Sequence, residues 1–347
     1  MCLQARLSGS RFFVALEQPF INRVSARALR LEHMNPFFES VDPELRQSME
    51  RLANLQIQPQ DDSAQSFLES VRYNISLDPH VGGVPRAVQT ENLELRPNFK
   101  ARLYRPNPNA KFPVLIYAHG GGFASGNLES HDLFLRALCQ DSSTAVLALD
   151  YRLAPEHPFP AALEDLHYAL DWLEGYGQEF GLDPARAAIG GDSAGAGLAA
   201  VAALEWNRLP KNVPLKAQLL IQPNTDLTLE QTSWHLHRPF GPTPDEMKAY
   251  LKLYLPLEHD LKDPRVSVLF SPNLKHTPQT VLVTGGCDPL EDDGLALKTR
   301  LEAEGVALEH LHFAGATHGF YFHLGAVELG RRGVLELGRA LGQVLNP

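Results

Sequence analysis

The run Ile189-Gly190-Gly191-Asp192-Ser193-Ala194-Gly195-Ala196 constrains this chain most. It sets a serine between a short apolar segment and a stretch of small residues, with a glycine two positions to either side. Ala187–Ile189 reads as a strand, and the alanines after Ser193 read as a helix. A strand-to-helix turn this tight strains the serine backbone and leaves no room for side chains at the flanking positions. Glycine removes the clash, and the hydroxyl is presented above a sheet. G-x-S-x-G in that context is a nucleophile elbow; the plain alternative is a small-residue turn around an ordinary serine.

Such an elbow needs a sheet around it, and the flanking sequence supplies one. Asn92–Arg96 and Ala101–Tyr104 read as a hairpin, and Pro113–Ala118, Thr144–Leu149, Ala217–Ile221, Thr280–Val283 and Leu308–Phe313 as short apolar strands. Helices start at Ala161, with Leu166, Ala169, Leu170 and Leu173 on one stripe, and run near Asp293–Glu304 and Ala326–Leu345. This alternation predicts an α/β fold, a mostly parallel central sheet with helices on both faces.

Two amphipathic helices precede it. Pro43–Leu55 carries Leu45, Met49, Leu52 and Leu55 on one face, and Ser63–Ile75 carries Phe67, Leu68, Val71 and Ile75; Val81–Pro85 then breaks the pattern. From about 224 to 272 the rhythm stops in a segment rich in proline and aromatics. A helix inside it is well signalled: Thr243 caps, Pro244 stands first, Glu246 completes a capping box, and Met247, Tyr250, Leu251, Tyr254 and Leu255 form its apolar face. The expected division is an arm and helices over 1–85, then one α/β domain over 86–347 with an insertion at about 224–272 lying over the sheet edge.

Two further signals carry chemistry. His119-Gly120-Gly121-Gly122-Phe123 follows the strand Pro113–Ala118 directly. A tetrahedral intermediate needs preorganised donors for its oxyanion, and glycine N–H groups approach one without obstruction. With the residue after the nucleophile, the donors would be Gly121, Gly122 and Ala194. A flexible glycine loop is the alternative; a phosphate cradle is discounted because no G-K-[ST] follows. Late in the chain, Asp288 and His318 each follow a strand, where open α/β sheets build their sites. Alone, such an aspartate is usually a helix cap and such a histidine a surface or core residue. In the order Ser193, Asp288, His318 they suit a nucleophile, an orienting acid and a base.

Together these segments resemble the hormone-sensitive-lipase family of α/β-hydrolases, in its bacterial carboxylesterase branch. The resemblance rests on His119–Phe123, on the run from Asp150 through Tyr151-Arg152-Leu153-Ala154-Pro155-Glu156-His157 to Ala162, on Gly191–Gly195, on Asp288-Pro289-Leu290 and on His318-Gly319-Phe320. It covers roughly residues 85–325. It implies the triad Ser193, Asp288 and His318, the oxyanion donors named above, a helical cap built from the N-terminal region and the insertion, and hydrolysis of short-to-medium acyl esters through an acyl-enzyme. The chain departs after Leu290, where the family often has Arg-Asp-Glu and this sequence has Glu291-Asp292-Asp293, making Asp292 a competitor for Asp288. His119 and Gly120 are expected to support the oxyanion loop, and Phe67, Leu68 and Tyr254 to wall an acyl pocket. Arg152, Glu156 and Asp165 are expected to form a polar network behind the site, with His157 structural and Cys287 unreactive. Amides including arylformamides, long-chain lipids, and a non-catalytic ligand receptor stay open as alternatives.

Composition excludes other classes. A net charge of −10 over 347 residues, with no Lys/Arg-rich run, argues against nucleic acid. No zinc-binding spacing or metal cluster is visible, and Gly195–Ala200, which mimics a dinucleotide fingerprint, lacks a suitably placed acid; no cofactor or metal is expected. Cys2, Cys139 and Cys287 are too few and too scattered for a disulfide framework. No segment reaches the roughly 18–20 apolar residues of a membrane span, and Phe12–Leu16 is too short for a signal peptide. A cytoplasmic protein acting on a small-molecule ester is expected, and a homodimer is compatible with the sequence. Arg6, Arg11, Arg23, Arg27 and Arg30 mark an arm without clear periodicity, and Met34 is an alternative start.

Overall fold

A computed structural model describes residues 38–346, except 62, 108–110, 211, 212, 238 and 239. The arginine-bearing arm, Cys2 and the candidate start at Met34 lie outside the described residues.

Eight strands form one sheet: β1 Gln89–Arg96, β2 Phe99–Arg105, β3 Phe112–Ala118, β4 Ala145–Leu149, β5 Leu182–Asp192, β6 Ala217–Ile221, β7 Gln279–Cys287 and β8 Leu308–Thr317. Their spatial order is β1-β2-β4-β3-β5-β6-β7-β8. Strand β2 runs antiparallel to β1 and β4, and every other neighbouring pair is parallel. Strands β3, β4 and β6 are buried at every position, which is why they read as unbroken apolar runs rather than alternating ones.

The helices divide between the faces. Helices α4 (Ala161–Tyr176), α5 (Ala194–Arg208) and α7 (Glu291–Ala303) share one apolar core with one side of the sheet. Helices α3 (Asp132–Ser142) and α8 (Glu328–Leu345) share the other. Helix α5 is buried along almost its whole length; its alanines and glycines let it lie close against the central strands.

Before the sheet come α1 (Pro43–Ala53) and α2 (Ala64–Ile75). The Asp42 carboxylate accepts from Leu45 N at 3.0 Å and caps α1; Ser63 Oγ accepts from Ser66 N at 3.1 Å and caps α2. Leu55, expected on the buried face of α1, falls beyond the end of that helix and is 48% exposed. The break expected from Val81 begins two residues later: Pro79–Gly82 forms one more helical turn, and Gly83 follows at φ +79°.

The insertion holds α6 (Pro244–Tyr254), started by the expected capping box: Thr243 N donates to Glu246 Oε2 at 2.7 Å, and Glu246 N to Thr243 Oγ1 at 3.2 Å. Phe159 N donates to Tyr254 O at 2.8 Å and His318 N to Phe240 O at 3.0 Å, so the insertion meets loops that leave the C-terminal ends of β4 and of the edge strand β8.

Candidate active site

Strand β5 ends at Asp192 and α5 begins at Ala194, leaving Ser193 alone in the turn at φ +53°, ψ −122°. A non-glycine residue holds such a conformation only when its surroundings impose it. Here Ser193 N donates to Ile221 O at 2.9 Å, and Ser193 O accepts from Gly197 N and Asn224 N, both at 3.1 Å. A methyl group on Gly191 or Gly195 would collide with the Ala118 carbonyl of β3, the physical reason both are glycine.

His318 follows β8. Its Nε2 lies 3.0 Å from Ser193 Oγ, and its Nδ1 lies 3.0 and 3.2 Å from the two oxygens of Asp288. The carboxylate accepts, so Nδ1 carries the proton and Nε2 is left to accept from the serine hydroxyl. Asp288, buried after β7, also accepts from Leu290 N at 2.9 Å, which fixes its orientation. Burial pulls the His318 imidazole down, but the Asp288 charge and hydrogen bond outweigh it, and its pKa lies above the ordinary histidine value.

The glycine loop leaves β3 with Gly121 at φ +118° and Gly122 at φ +61°. Its turn closes on one carbonyl: Gly121 O accepts from Ala124 N at 3.2 Å, Ser125 N at 3.0 Å and Ser125 Oγ at 2.8 Å. The N–H groups of Gly121, Gly122 and Ala194 make no hydrogen bond to the described residues, and all three residues line the cavity that holds Ser193 and His318. His119 Nδ1 donates to Gly120 O at 2.8 Å, and its ring stacks on Tyr151 at 4.3 Å. Burial and then His131 push His119 down to about 4, so it stays neutral. Gly120 N donates to Asp192 at 2.9 Å.

The cavity measures about 380 Å³. Phe67 lines it, as do Met49, Met247, Tyr250 and Phe322. Leu68 and Tyr254, also expected there, do not. Leu68 turns one residue further round α2 into the core, and Tyr254 stacks on Phe123 with centroids 4.0 Å apart.

The polar network is partly as expected. Asp165, fully buried, accepts from Arg152 N at 2.9 Å and Arg152 Nε at 3.0 Å, and pairs with Arg96. Glu156 is not part of it: it stands on an exposed loop and takes both terminal nitrogens of Arg72, at 2.8 and 2.7 Å. His157 is exposed. Asp292 is turned from His318, accepting from Ser233 N at 2.9 Å. Its neighbour Asp293 accepts from Thr225 N, Asp226 N and the Trp234 indole. The acidic stretch after Leu290 therefore fastens the insertion. Burial pushes the Cys287 thiol up to about 11, with Glu291 and Asp288 adding to it, which keeps it protonated. No group of three or more metal-ligating side chains exists among the described residues.

A family model described as an α/β hydrolase fold matches residues 115–322. The chain belongs to the α/β-hydrolase fold family. It is 39% identical over 233 residues to the carboxylic ester hydrolase LipN of Mycobacterium tuberculosis, a match spanning 65% of this chain and 62% of that one. It is 32% identical over 248 residues to the ethyl acetate hydrolase of Pseudomonas putida, spanning 70% and 78%. The solved hyperthermophilic esterase of the archaeon Pyrobaculum calidifontis superposes with a TM-score of 0.77 at 31% identity, covering 87% of this chain and 98% of that one. Within the family the chain is a hormone-sensitive-lipase-like carboxylesterase.

This α/β-hydrolase also holds its site with contacts that the motifs did not reveal. Asp192, buried, accepts from Tyr117 OH at 2.6 Å, Tyr321 OH at 3.0 Å and His131 Nε2 at 3.2 Å, besides Gly120 N. Burial would raise its pKa, but His131 and the two phenols reverse that and hold the carboxyl at about 2. The lone signal in the sequence was a tyrosine inside the apolar strand β3. Tyr250 packs its ring over Gly122 and meets Phe67 edge-on at 5.0 Å. Arg72 donates to Ala124 O at 2.9 Å, just past the glycine loop.

Proposed function

We propose that Ser193 is the nucleophile of this carboxylic ester hydrolase, His318 its general base and acid, and Asp288 the group that orients and stabilises the imidazolium. The observation that carries this reading is the unbroken chain Asp288–His318–Ser193, every link within 3.2 Å. Ser193 attacks the ester carbonyl while His318 Nε2 takes its proton. The N–H groups of Gly121, Gly122 and Ala194 hold the oxyanion. His318 returns the proton to the leaving alcohol, and water then cleaves the acyl-enzyme by the same steps.

Short-to-medium acyl esters fit the cavity, with the N-terminal helices and the insertion acting as its cap. The buried, unpaired thiols of Cys139 and Cys287 suit a reducing compartment such as the cytoplasm. No helix among the described residues is long and apolar enough to cross a membrane.

Replacing Ser193 by alanine tests the mechanism. Hydrolysis of 4-nitrophenyl butyrate should fall by about 10³-fold or more, the usual cost of removing a triad member, and labelling by a serine-directed phosphonate should disappear. Retained activity or labelling would end the assignment.

A further inference from the structure

The polar side chains that line the cavity are nearly all engaged. Ser70 Oγ donates to Phe67 O at 2.7 Å, and Asn74 bonds both backbone groups of Ile57 at 2.9 Å. Ser125 is bound to Gly121 O, Glu246 to Thr243, Tyr321 to Asp192, and His323 Nδ1 to Ser48 at 2.8 Å. Gln56 and Gln58 are exposed; among the buried or half-buried lining side chains, two oxygen acceptors are left over. Asp78 lines the cavity, half-buried, and its carboxyl takes no hydrogen bond from the described residues. Asn224 lines it too; its Oδ1 is buried without a partner, while its Nδ2 contacts Met247 Sδ at 3.6 Å.

A buried acceptor without a partner is costly, and its cost is relieved by a ligand that brings the missing donor. Both leftover atoms are oxygens. Apolar side chains line the cavity as well, Met49 and Leu52 of α1 and Val71 and Ile75 of α2 among them. An acyl chain would therefore pass through apolar walls and meet acceptors. Burial pushes the Asp78 carboxyl up to about 7, with His131 pulling it down and Asp192 pushing it further up. Near neutral pH such a group can meet a neutral hydroxyl, or ionise beside an ammonium.

We propose that Asp78 forms a subsite for a hydrogen-bond donor on the acyl chain, so that hydroxyl- or amino-bearing acyl esters are selected over plain alkyl esters of equal length. This rests on Ser193-dependent ester hydrolysis as proposed above.

The test compares kcat/KM for the 4-nitrophenyl esters of hexanoate, 6-hydroxyhexanoate and 6-aminohexanoate in the wild-type enzyme, Asp78→Asn and Asp78→Leu. The expected result is a fall of about tenfold in the polar-to-plain ratio in Asp78→Leu, the usual scale for leaving a substrate donor unpaired. A fall in Asp78→Asn confined to the amino ester assigns the subsite to cations, and a fall for neither ester in that variant assigns it to hydroxyls. A ratio in Asp78→Leu within threefold of wild type overturns the proposal. Thermal unfolding of both variants shows that they are folded, and the conservative asparagine carries the cationic arm alone should the leucine variant not fold. Should wild-type enzyme hydrolyse none of the three esters and escape phosphonate labelling, the catalytic reading fails instead.

Discussion

Ser193 and the residues above it are held by different kinds of bond. Below the cavity the hold is backbone: Ser193 donates to β6, accepts from Gly197 N and Asn224 N, and stands between strands buried at every position. Above it side chains add to the backbone bonds Phe159 N–Tyr254 O and His318 N–Phe240 O. Arg72 reaches from α2 to Ala124 O and Glu156, Tyr250 lies on Gly122, and Tyr254 stacks on Phe123. Backbone bonds inside a sheet cannot yield singly, whereas long side chains at a surface exchange partners at small cost. The contrast suits an esterase whose chemistry is constant and whose acyl group varies. It also predicts that equally small changes will act very unequally on the two sides.

The largest effect is expected at Gly195. One methyl group there would overlap the carbonyls of Ala118 and His119, which are backbone atoms in the middle of the sheet and cannot move aside. Gly195→Ala should lose about 3 kcal/mol or more of stability, seen as a collapse in the thermal midpoint or in soluble yield. A variant with wild-type midpoint and activity would show that the platform is softer than its bonding suggests.

Asp288→Ala comes next, and its effect should fall on rate. Removing the orienting carboxylate of such a triad costs about 10⁴-fold in kcat, and KM for a butyrate ester should change little. The pH profile sharpens the point. In the proposed mechanism His318 acts as base only when neutral, so activity should fall as pH drops through its raised pKa. Without Asp288 that pKa falls, and the residual activity should persist to lower pH. An acid limb that stays in place would remove His318 as the titrating base.

These two sites were legible because their demands are local. A glycine forced by a close approach, or an acid and a histidine following short apolar strands, leaves its mark on adjacent residues. The hub at Asp192 left only the tyrosine inside β3, because Tyr117, His131 and Tyr321 reach it from β3, the start of α3 and the turn after β8. The apolar face of a helix told which side is buried but not which part of that side meets a ligand. Thus Tyr250, one turn before Tyr254, covers Gly122 of the glycine loop while Tyr254 is core. Strand order, too, is encoded by no local pattern.

The Asp192 hub ties the two regions together and gives the third test. Its carboxyl is held at about 2, against 3.8 for an ordinary aspartate. A depressed pKa contributes stability that is fully present above about pH 4 and is lost as pH falls through about 2. Asp192→Asn should be less stable at pH 7 and should lose that part of the acid dependence, so the two proteins' unfolding midpoints should converge between pH 4 and 2. Parallel curves over that interval would mean that the native carboxyl is not held low.

The smallest effect is expected at the Arg72–Glu156 pair, and it separates holding the roof from holding the chemistry. The pair is largely solvent-exposed, where such bridges contribute about 0–1 kcal/mol. Glu156→Gln should therefore shift stability by less than about 1 kcal/mol, because Arg72 keeps its bonds to Ala124 O and Ala154 O. Arg72→Ala removes those bonds too and frees α2 from the segment that follows the glycine loop. Its loss should raise KM more for hexanoate than for acetate esters, since Phe67 and Val71 of that helix line the cavity. An equal fall in kcat for both esters would instead mean that Arg72 sets the geometry of the glycine loop itself, and the line between platform and roof would have to be drawn above α2.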